Sequence, residues 1–318
     1  MKIIVLDGAT MGVSADAWDG LRALGEVEVY DRSSPEEVMA RARTAGVLIT
    51  NKAPVSAEVI AQAAELRFIA LLATGFDPVD VAAARRRGIP VANVPEYGTH
   101  SVAQFTFALL LELCNHVAVH AEAVRGGEWS RSLTFSFWKM PLIELAGKTM
   151  GLVGFGRIGR RVGELAHAFG MGVLAHDQFP VNPPAYQPFG WAALDELFAR
   201  ADVISLHCPL TPENLGLVNR QRLHLVKPTA YLINTARGPL VAEEDLAEAL
   251  NEGRLAGAGL DVVAHEPIPP DNPLLTARNC VLTPHIAWAT VEARRRLLET
   301  AVANVANFLA GQPTNIVN

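Results

Sequence analysis

Three polar side chains of complementary chemistry follow three successive apolar segments in the second half of the chain. Arg237 comes after YLINTA, Glu266 after GLDVVAH and His285 after NCVLTP. A guanidinium can bind a carboxylate through two parallel hydrogen bonds and polarise a neighbouring carbonyl. An imidazolium can donate a proton near neutral pH, and an adjacent carboxylate would fix the orientation of its ring. The three types suit reduction of a 2-keto acid, because hydride arriving at the carbonyl carbon leaves charge on the oxygen.

Each of these residues also has an ordinary structural interpretation. Arg237 could be a turn cation, Glu266 a solvated loop acid and His285 a cap on the end of a strand. Their shared placement favours function, since ligands of open parallel sheets bind beyond the carboxyl ends of the strands. An arginine, an acid and a histidine at that edge form a coherent set.

A glycine-rich turn could hold the cofactor that such a reduction requires. Gly154, Gly156 and Gly159 follow the apolar strand MGLV in the pattern G-x-G-x-x-G and open a helix with apolar residues at helical spacing. The first glycine would make the turn, the second would admit a pyrophosphate, and the third would pack the helix on the strand. Asp177 ends the next strand and can accept hydrogen bonds from a ribose. The motif predicts a dinucleotide site.

Strands alternate with helices through most of the chain. In the first part we predict strands at residues 3–8, 47–50, 68–73 and 89–94, with helices at 56–65 and 79–87. In the second part the segments TMGLV, MGVLAH, DVISLH, AYLINT, GAGLDV and NCVLT predict six strands, and a last helix covers about 290–310. Such alternation predicts parallel sheets covered by helices on both faces.

A long apolar-rich segment separates the two α/β parts. Residues 101–124 predict one helix, with Ser101 as its N-cap and the glycines at 126 and 127 as its stop. Within it, His116 and His120 have a spacing that could place two metal ligands on one face. No acidic or cysteine partner completes a metal site, so a packed or interface pair is favoured.

Composition and charge restrict the class of protein. The chain has 318 residues, half of them hydrophobic, and a net charge of −6, which recruits neither nucleic acid nor an anionic membrane. Cys114, Cys208 and Cys280 are far apart and predict reduced thiols. The apolar run after Met1 is too short for a signal peptide, and residues 102–113 are too short to span a bilayer. We expect a cytoplasmic, soluble protein.

Several separate motifs carry a family resemblance that covers nearly the whole chain. They are LATGFDPVD, NVPEYGTHSVAQ, LAGKTMGLVGFGRIG, HCPLTPEN, NTARGPLV, GLDVVAHEP and LTPHIAWAT. With them the sequence strongly resembles the D-isomer-specific 2-hydroxyacid dehydrogenases. The ATG that contains Thr74 and the HIAW that runs from His285 to Trp288 are most similar to the hydroxypyruvate reductase (glycerate dehydrogenase) branch.

The resemblance implies two doubly wound parallel-sheet domains with a cleft between them that closes on the substrate. Residues 1–98 and 288–318 would form a flavodoxin-like substrate domain, and residues 99–287 would form a Rossmann NAD domain. The NAD domains of this family usually pair into a homodimer. The role of residues 131–141 stays open, with a dimer arm and a wall of the cleft as the two candidates.

The resemblance also assigns site residues. Arg237 would bind substrate, His285 would be the acid/base, and Glu266 would be its partner. The amides of Thr74 and Gly75 would hold the substrate carboxylate, and Trp288 would wall the pocket, with an indole N–H that could meet a substrate hydroxyl. Residues expected around NAD are Gly154, Gly156, Arg157, Ile158, Gly159, Asp177, Cys208, Pro209, Asn214, Thr235, Ala236 and Asp261.

The function implied is an NAD-dependent oxidoreductase that interconverts a small 2-keto acid and its D-2-hydroxy acid. Hydroxypyruvate/D-glycerate and glyoxylate/glycolate are the favoured pairs. A second hypothesis is a non-enzymatic NAD(H)-sensing protein that resembles a corepressor, since such proteins can keep the same three side chains. A weaker third is an S-adenosylmethionine enzyme, which would leave Arg237, Glu266 and His285 unexplained.

Overall fold

The computed structural model describes all residues, 1–318, and divides into two compact units. The smaller unit combines Met1–Gly98 with the C-terminal Ala289–Asn318, and the larger unit is Thr99–Trp288. Each unit contains a parallel sheet of its own, of five strands in the smaller and seven in the larger. Trp288 is the last residue of the larger unit.

The smaller unit is a five-stranded α/β layer. Its strands are β1 (Lys2–Val5), β2 (Glu26–Val29), β3 (Val47–Thr50), β4 (Phe68–Leu71) and β5 (Val91–Ala92), in the order β2-β1-β3-β4-β5. Its first four helices are α1 (Asp19–Arg22), α2 (Pro35–Ala42), α3 (Ala57–Gln62) and α4 (Val81–Arg86). Strands β3 and β4 are buried along their whole length, which explains their unbroken apolar sequences.

The larger unit is a seven-stranded sheet in the order β12-β11-β10-β9-β6-β7-β8. Its strands are β6 (Thr149–Val153), β7 (Gly172–His176), β8 (Phe189–Trp191), β9 (Val203–Leu206), β10 (Tyr231–Asn234), β11 (Gly257–Leu260) and β12 (Cys280–Leu282). Its helices are α5 (Thr99–Asn115), α6 (Val117–Arg125), α7 (Arg157–Ala168), α8 (Leu194–Arg200), α9 (Arg220–Leu223) and α10 (Glu243–Asn251). The last helix of the chain, α11 (Val291–Leu309), returns to the smaller unit.

In the larger unit the order of the strands changes direction at β6, because β7 and β8 follow on one side of it and β9 to β12 on the other. Strand β6 pairs with β7 on one side and with β9 on the other, both in parallel. Loops that leave such neighbouring strands run in opposite directions and open a crevice at the carboxyl edge. The glycine turn follows β6 and the segment that contains Cys208 follows β9, so both lie at this crevice.

Two strands were missing from the sequence-based prediction. Strand β2 has the sequence EVEV and is at most half-buried, so it shows no apolar run of the kind that marked the central strands. Strand β8 has only three residues, FGW, and includes a glycine. Both lie at the edges of their sheets, where one side of the strand has no neighbour and the apolar pattern is weakest.

The prediction of one helix over residues 101–124 was wrong. Helices α5 and α6 are separate, and His116 between them has a φ of 48°, in the left-handed region. Ser101 is not the N-cap, because α5 begins at Thr99 and Ser101 is buried within its first turn. The Nδ1 atom of His120 lies 2.8 Å from the carbonyl oxygen of His116, and its Nε2 accepts the N–H of Lys139 at 3.1 Å.

No single helix of the chain combines the length and the apolar character needed to cross a bilayer. Helices α5 and α6 meet those criteria only when taken together, and they are bent by 57° at their junction.

Candidate active site

The glycine turn after β6 has the geometry that a pyrophosphate requires. Gly154 has a φ of 94°, and a Cβ on it would lie 2.6 Å from the backbone nitrogen of Cys208. A Cβ on Gly159 would lie 2.2 Å from the carbonyl oxygen of Gly154, so this glycine is needed where α7 packs on the turn. At Gly156, in contrast, no atom lies within 4 Å of an added Cβ. The backbone there borders open space, and the turn fits a dinucleotide.

The first turn of α7 and the end of β7 supply the groups that would face such a ligand. Helix α7 begins at Arg157, directly after Gly156, and the amides of its first turn have no partner within the helix. The carboxylate of Asp177 accepts N–H bonds from Phe155 at 2.7 Å and from Phe179 at 2.9 Å. These bonds hold an acid beside the glycine turn, where a ribose would lie.

The segment after β9 completes the other side of the crevice. Asn214 donates through Nδ2 to the carbonyl oxygen of Pro209 at 2.7 Å and accepts the N–H of Thr211 at 2.8 Å, which folds the loop that begins at Cys208. Burial lowers the pKa of His207 to about 3, so its ring is neutral.

His207 was not among the residues predicted for the site, although it follows the same strand as Cys208 and Pro209. Its Nε2 lies 2.9 Å from the Ser205 hydroxyl, and its backbone carbonyl lies 2.8 Å from where a Cβ of Gly154 would be. We interpret it as a support for the glycine turn. A histidine directly after a buried strand is the signal that could have identified it.

A compact turn after β10 presents Arg237. The buried side chain of Asn234 accepts the N–H of Ala236 at 3.0 Å and donates to the carbonyl oxygen of Arg237 at 2.8 Å. The hydroxyl of Thr235 lies 3.1 Å from that of Thr106 in α5, which holds this side of the turn. Arg237 itself is half-buried, and its Nη1 donates to the carbonyl oxygen of Ala236 at 2.8 Å. The guanidinium is therefore held at the edge of the sheet.

Glu266 and His285 are in direct contact. The Nδ1 atom of His285 lies 2.6 Å from Oε2 of Glu266, and about a quarter to a third of each side chain is exposed. This contact requires Nδ1 to carry the proton that bonds to the carboxylate, which leaves Nε2 as the atom that can exchange a proton with a substrate. The pair has the arrangement of an acid/base with an orienting carboxylate.

Asp261 organises the loop on which His285 lies. One carboxylate oxygen accepts the Thr283 hydroxyl at 2.6 Å and the Ile286 N–H at 2.9 Å, and the other accepts the Ala287 N–H at 2.7 Å. His285 has a φ of 56°, and its own N–H donates to the backbone carbonyl of Asp261 at 2.8 Å. Burial raises the pKa of Asp261, while these hydrogen bonds act in the opposite direction. The left-handed turn at His285 is thus held by one buried acid.

Ser101 and Trp288 fix the end of the same loop. The Ser101 hydroxyl donates to the carbonyl oxygen of Ala287 at 2.6 Å. The indole N–H of Trp288 donates to the carbonyl oxygen of His285 at 2.9 Å. The prediction that this N–H could meet a substrate hydroxyl is therefore corrected, because the donor is already used within the loop.

In the smaller unit, Thr74 and Gly75 follow the buried strand β4. The Thr74 hydroxyl donates to the carbonyl oxygen of Val94 at 2.7 Å, and the Thr74 carbonyl accepts from Asn93 at 2.7 Å. These bonds shape the backbone of the turn.

The structure brings some of the selected residues together and leaves others apart. Glu266 joins His285, Asp261 joins the loop of His285, and Gly154 approaches Cys208. Arg237 follows β10, the immediate neighbour of the strand that ends before Asp261. The described chain contains no group of three or more His, Cys, Asp or Glu side chains placed to hold a metal ion.

Comparison with known proteins identifies the family to which the chain belongs. The family model described as D-isomer specific 2-hydroxyacid dehydrogenase, NAD binding domain, matches residues 107–287. A hydroxypyruvate reductase of Blautia hydrogenotrophica is 50% identical over 321 residues, which cover 100% of both chains. A glycerate dehydrogenase of Methylorubrum extorquens is 37% identical and covers 99% of this chain and 98% of its own.

Solved structures give the same result. The NADPH-dependent glyoxylate/hydroxypyruvate reductase of Sinorhizobium meliloti, solved with NADP and malonate, superposes with a TM-score of 0.87. It is 30% identical, and the alignment covers 99% of this chain and 96% of the reductase.

Proposed function

Since the chain belongs to the D-isomer specific 2-hydroxyacid dehydrogenase family, we propose that it reduces a two- or three-carbon 2-keto acid, with hydroxypyruvate and glyoxylate as the favoured substrates. It is an NAD-dependent oxidoreductase that interconverts a 2-keto acid and its D-2-hydroxy acid. The contact between Glu266 and His285, in the unit that contains the glycine turn, is the observation that carries the proposed catalytic roles.

When bound, NADH supplies the hydride that reduces the carbonyl carbon. We assign its pyrophosphate to the glycine turn and the first turn of α7, with Gly156, Arg157 and Ile158, and its ribose to Asp177. Cys208, Pro209 and Asn214 would border the adenosine. Thr235, Ala236 and Asp261 would border the nicotinamide, because they follow β10 and β11 on the other side of the crevice. In this proposal the larger unit binds the cofactor and the smaller unit contributes to the substrate.

The proton in this reaction would come from His285. Nδ1 is engaged by Glu266 at 2.6 Å, so Nε2 carries the proton that is donated to the carbonyl oxygen as it gains charge. In the reverse direction the same nitrogen would remove the proton from the hydroxyl group. Glu266 keeps the orientation of the ring, while Asp261 holds the backbone of the loop.

Arg237 would bind the substrate carboxylate and polarise the carbonyl. Its planar guanidinium presents parallel donors that match a carboxylate, which an ammonium group cannot reproduce. The amides of Thr74 and Gly75 stay a prediction from the family resemblance as further donors to the carboxylate.

Trp288 supports the preference for small substrates. Its indole is fixed by the bond to the carbonyl oxygen of His285, three residues away, so the bulky ring is kept next to the proposed acid/base. The names of the curated relatives, hydroxypyruvate reductase and glycerate dehydrogenase, support a three-carbon substrate.

We expect hydroxypyruvate and glyoxylate to be reduced at least tenfold more efficiently than phenylpyruvate, because the fixed indole limits the volume beside His285. The measurement is kcat/KM with NADH for hydroxypyruvate, glyoxylate, pyruvate and phenylpyruvate. The comparison of pyruvate with hydroxypyruvate tests the contribution of the hydroxyl group on the third carbon. The indole N–H of Trp288 is bonded to the carbonyl oxygen of His285, so it should give hydroxypyruvate no advantage over pyruvate. More efficient reduction of phenylpyruvate would contradict the small pocket.

The same assay separates the enzyme from an NAD(H)-sensing protein. A sensor would bind NADH and oxidise it at a negligible rate with every keto acid in the series. The relatives named as reductases and dehydrogenases do not favour that alternative. An intracellular location remains a prediction from the sequence.

We also propose that two copies of the chain form a homodimer through α6 and the segment that follows it. This surface exposes a dense set of apolar side chains: Val117, Val119, Val124, Trp129, Leu133, Phe135, Trp138 and Leu142. Apolar surface of this extent is a mark of an interface. Residues 131–141 are accordingly assigned to a dimer arm.

The dimer is tested by the molar mass in solution, which should be twice the 34.1 kDa of one chain. Charged residues in place of Leu133 and Phe135, both more than nine-tenths exposed, should yield the single chain without unfolding it. A monomeric wild-type protein at micromolar concentration would contradict the proposal.

A further inference from the structure

Glu266 lies on a segment whose position the sheet does not determine. Strand β11 ends at Leu260 and β12 begins at Cys280, and the only regular element between them is the short turn Pro273–Leu275. Loops of this length keep a defined position only when other parts of the protein hold them. A hydrogen bond of 2.6 Å to His285 therefore needs an external support for the segment on which Glu266 lies.

One carboxylate outside the proposed active site contacts this segment on both sides of Glu266. Glu243 is the first residue of α10. Its Oε1 accepts the N–H of Ala264 at 2.7 Å, and its Oε2 accepts from Nδ2 of Asn272 at 2.8 Å. Asn272 is buried, and its Oδ1 accepts the N–H of Leu274 at 2.9 Å. Two points of the loop, one on each side of Glu266, are thus tied to a single side chain.

The start of the loop also rests on the turn that carries Arg237. A Cβ on Gly238 would lie 1.9 Å from both the carbonyl carbon and the carbonyl oxygen of Val263, so the two backbones are in direct contact. Gly238 lies in the connection between β10 and α10, and Glu243 is the first residue after that connection. The connection therefore holds the loop of Glu266 through packing at Gly238, and the start of α10 holds it through the two hydrogen bonds of Glu243.

We propose that Glu243 is a positioning residue for catalysis: it holds the loop that carries Glu266, and through Glu266 it orients the ring of His285. The inference rests on the roles proposed above for Glu266 and His285. The ordinary explanation for Glu243 is favourable interaction with the helix N-terminus. Glu244 and Asp245 share that placement in the first turn of α10, but Asp245 binds Arg220 and Glu244 is exposed. The two bonds to the loop distinguish Glu243.

The matched experiment compares Glu243→Ala with Glu244→Ala, since both remove one acid from the first turn of the same helix. We expect Glu243→Ala to lower kcat for hydroxypyruvate reduction about tenfold, in line with the loss of other residues that orient catalytic groups. Its Kd for NADH should stay within about twofold, and Glu244→Ala should resemble the wild type. Assays are run well below the melting temperatures, which are measured for every variant.

Two further variants test whether Glu243 acts through Glu266. Glu243→Gln keeps one acceptor oxygen for the N–H of Ala264 and should retain more of the wild-type kcat than Glu243→Ala. If the alanine variant does not fold, the glutamine variant replaces it in the comparison with the wild type. Adding Glu243→Ala to Glu266→Gln should lower kcat no further than Glu266→Gln alone, because residues that act through one another are not additive. A purely structural role would give additive losses.

The outcomes separate this inference from the proposed function. Wild-type kcat in Glu243→Ala, with a clear loss in Glu266→Gln, would overturn the positioning role and leave the catalytic pair standing. Equal losses in Glu243→Ala and Glu244→Ala, or additivity in the double variant, would overturn it as well. Wild-type kcat in Glu266→Gln would overturn the role of Glu266 and with it the inference.

Discussion

Replacing Arg237 with lysine is expected to lower kcat/KM for keto-acid reduction roughly a thousandfold, the upper range for loss of a donor that stabilises developing negative charge. Lysine keeps the charge, but it is a point donor without the planar pair of N–H groups that matches a carboxylate. Asn234 holds the backbone of the turn on both sides of this residue, so the side chain alone should change. The measurement is steady-state kinetics with hydroxypyruvate.

The control for this prediction is Arg200→Lys, an exposed arginine in α8 that pairs with Glu196. It should keep the wild-type kcat/KM, and Arg237→Lys should keep the wild-type Kd for NADH. If kcat/KM of Arg237→Lys were within about threefold of the wild-type value, the two parallel N–H donors of the guanidinium would not be required.

The second expected result is a preference for NADH over NADPH of about a hundredfold in kcat/KM. The fold does not decide this, since the Sinorhizobium meliloti relative was solved with NADP. The deciding group is the carboxylate of Asp177, fixed at the end of β7 by the amides of Phe155 and Phe179. The next residue, Gln178, carries no positive charge that could bind a 2′-phosphate.

The size of the preference follows from electrostatics. Two like charges about 4 Å apart repel by about 4 kcal/mol at an effective dielectric constant of about 20, and a hundredfold preference needs only about 2.8 kcal/mol. Asp177→Ser should therefore lower the ratio of kcat/KM with NADH to kcat/KM with NADPH by at least about tenfold, mainly through a higher kcat/KM with NADPH.

The control is Glu164→Gln, which removes a carboxylate paired with Arg161 on α7 and should leave this ratio unchanged. Equal efficiencies in the wild type would contradict the role of Asp177.

The central strands and the glycine turn could be predicted from the sequence because their determinants are local. Strands such as Val47–Thr50 and Tyr231–Asn234 are buried throughout, and burial leaves an unbroken apolar run that can be read directly. Gly154 and Gly159 must be glycines for steric reasons that hold wherever a strand turns tightly into a helix. Edge strands β2 and β8 lack that signal, since burial on one side leaves a mixed composition.

The break between α5 and α6 had no local signal. No proline or glycine stands near His116, and the sequence on both sides favours a helix. A histidine at a φ of 48° costs conformational energy that only the surrounding structure can offset. Here the side chain of Glu112 accepts the N–H of Ala118 at 3.3 Å and so caps the start of α6.

The sequence by itself determined the types of groups at the carboxyl edge of the larger sheet, because strand ends and glycine turns place residues one after another along the chain. Only the tertiary structure decided which groups meet. Glu266 and His285 are 19 residues apart and Glu243 and Asn272 are 29 apart, and their hydrogen bonds exist because separate loops pack at one edge. The indole N–H of Trp288 is a second example. Its chemical type and its place in the sequence suggested a contact with the substrate, whereas in the folded chain it donates to the carbonyl oxygen of His285. A buried donor in a folded protein bonds to an acceptor that the fold brings within reach, and the linear order of residues does not specify that acceptor.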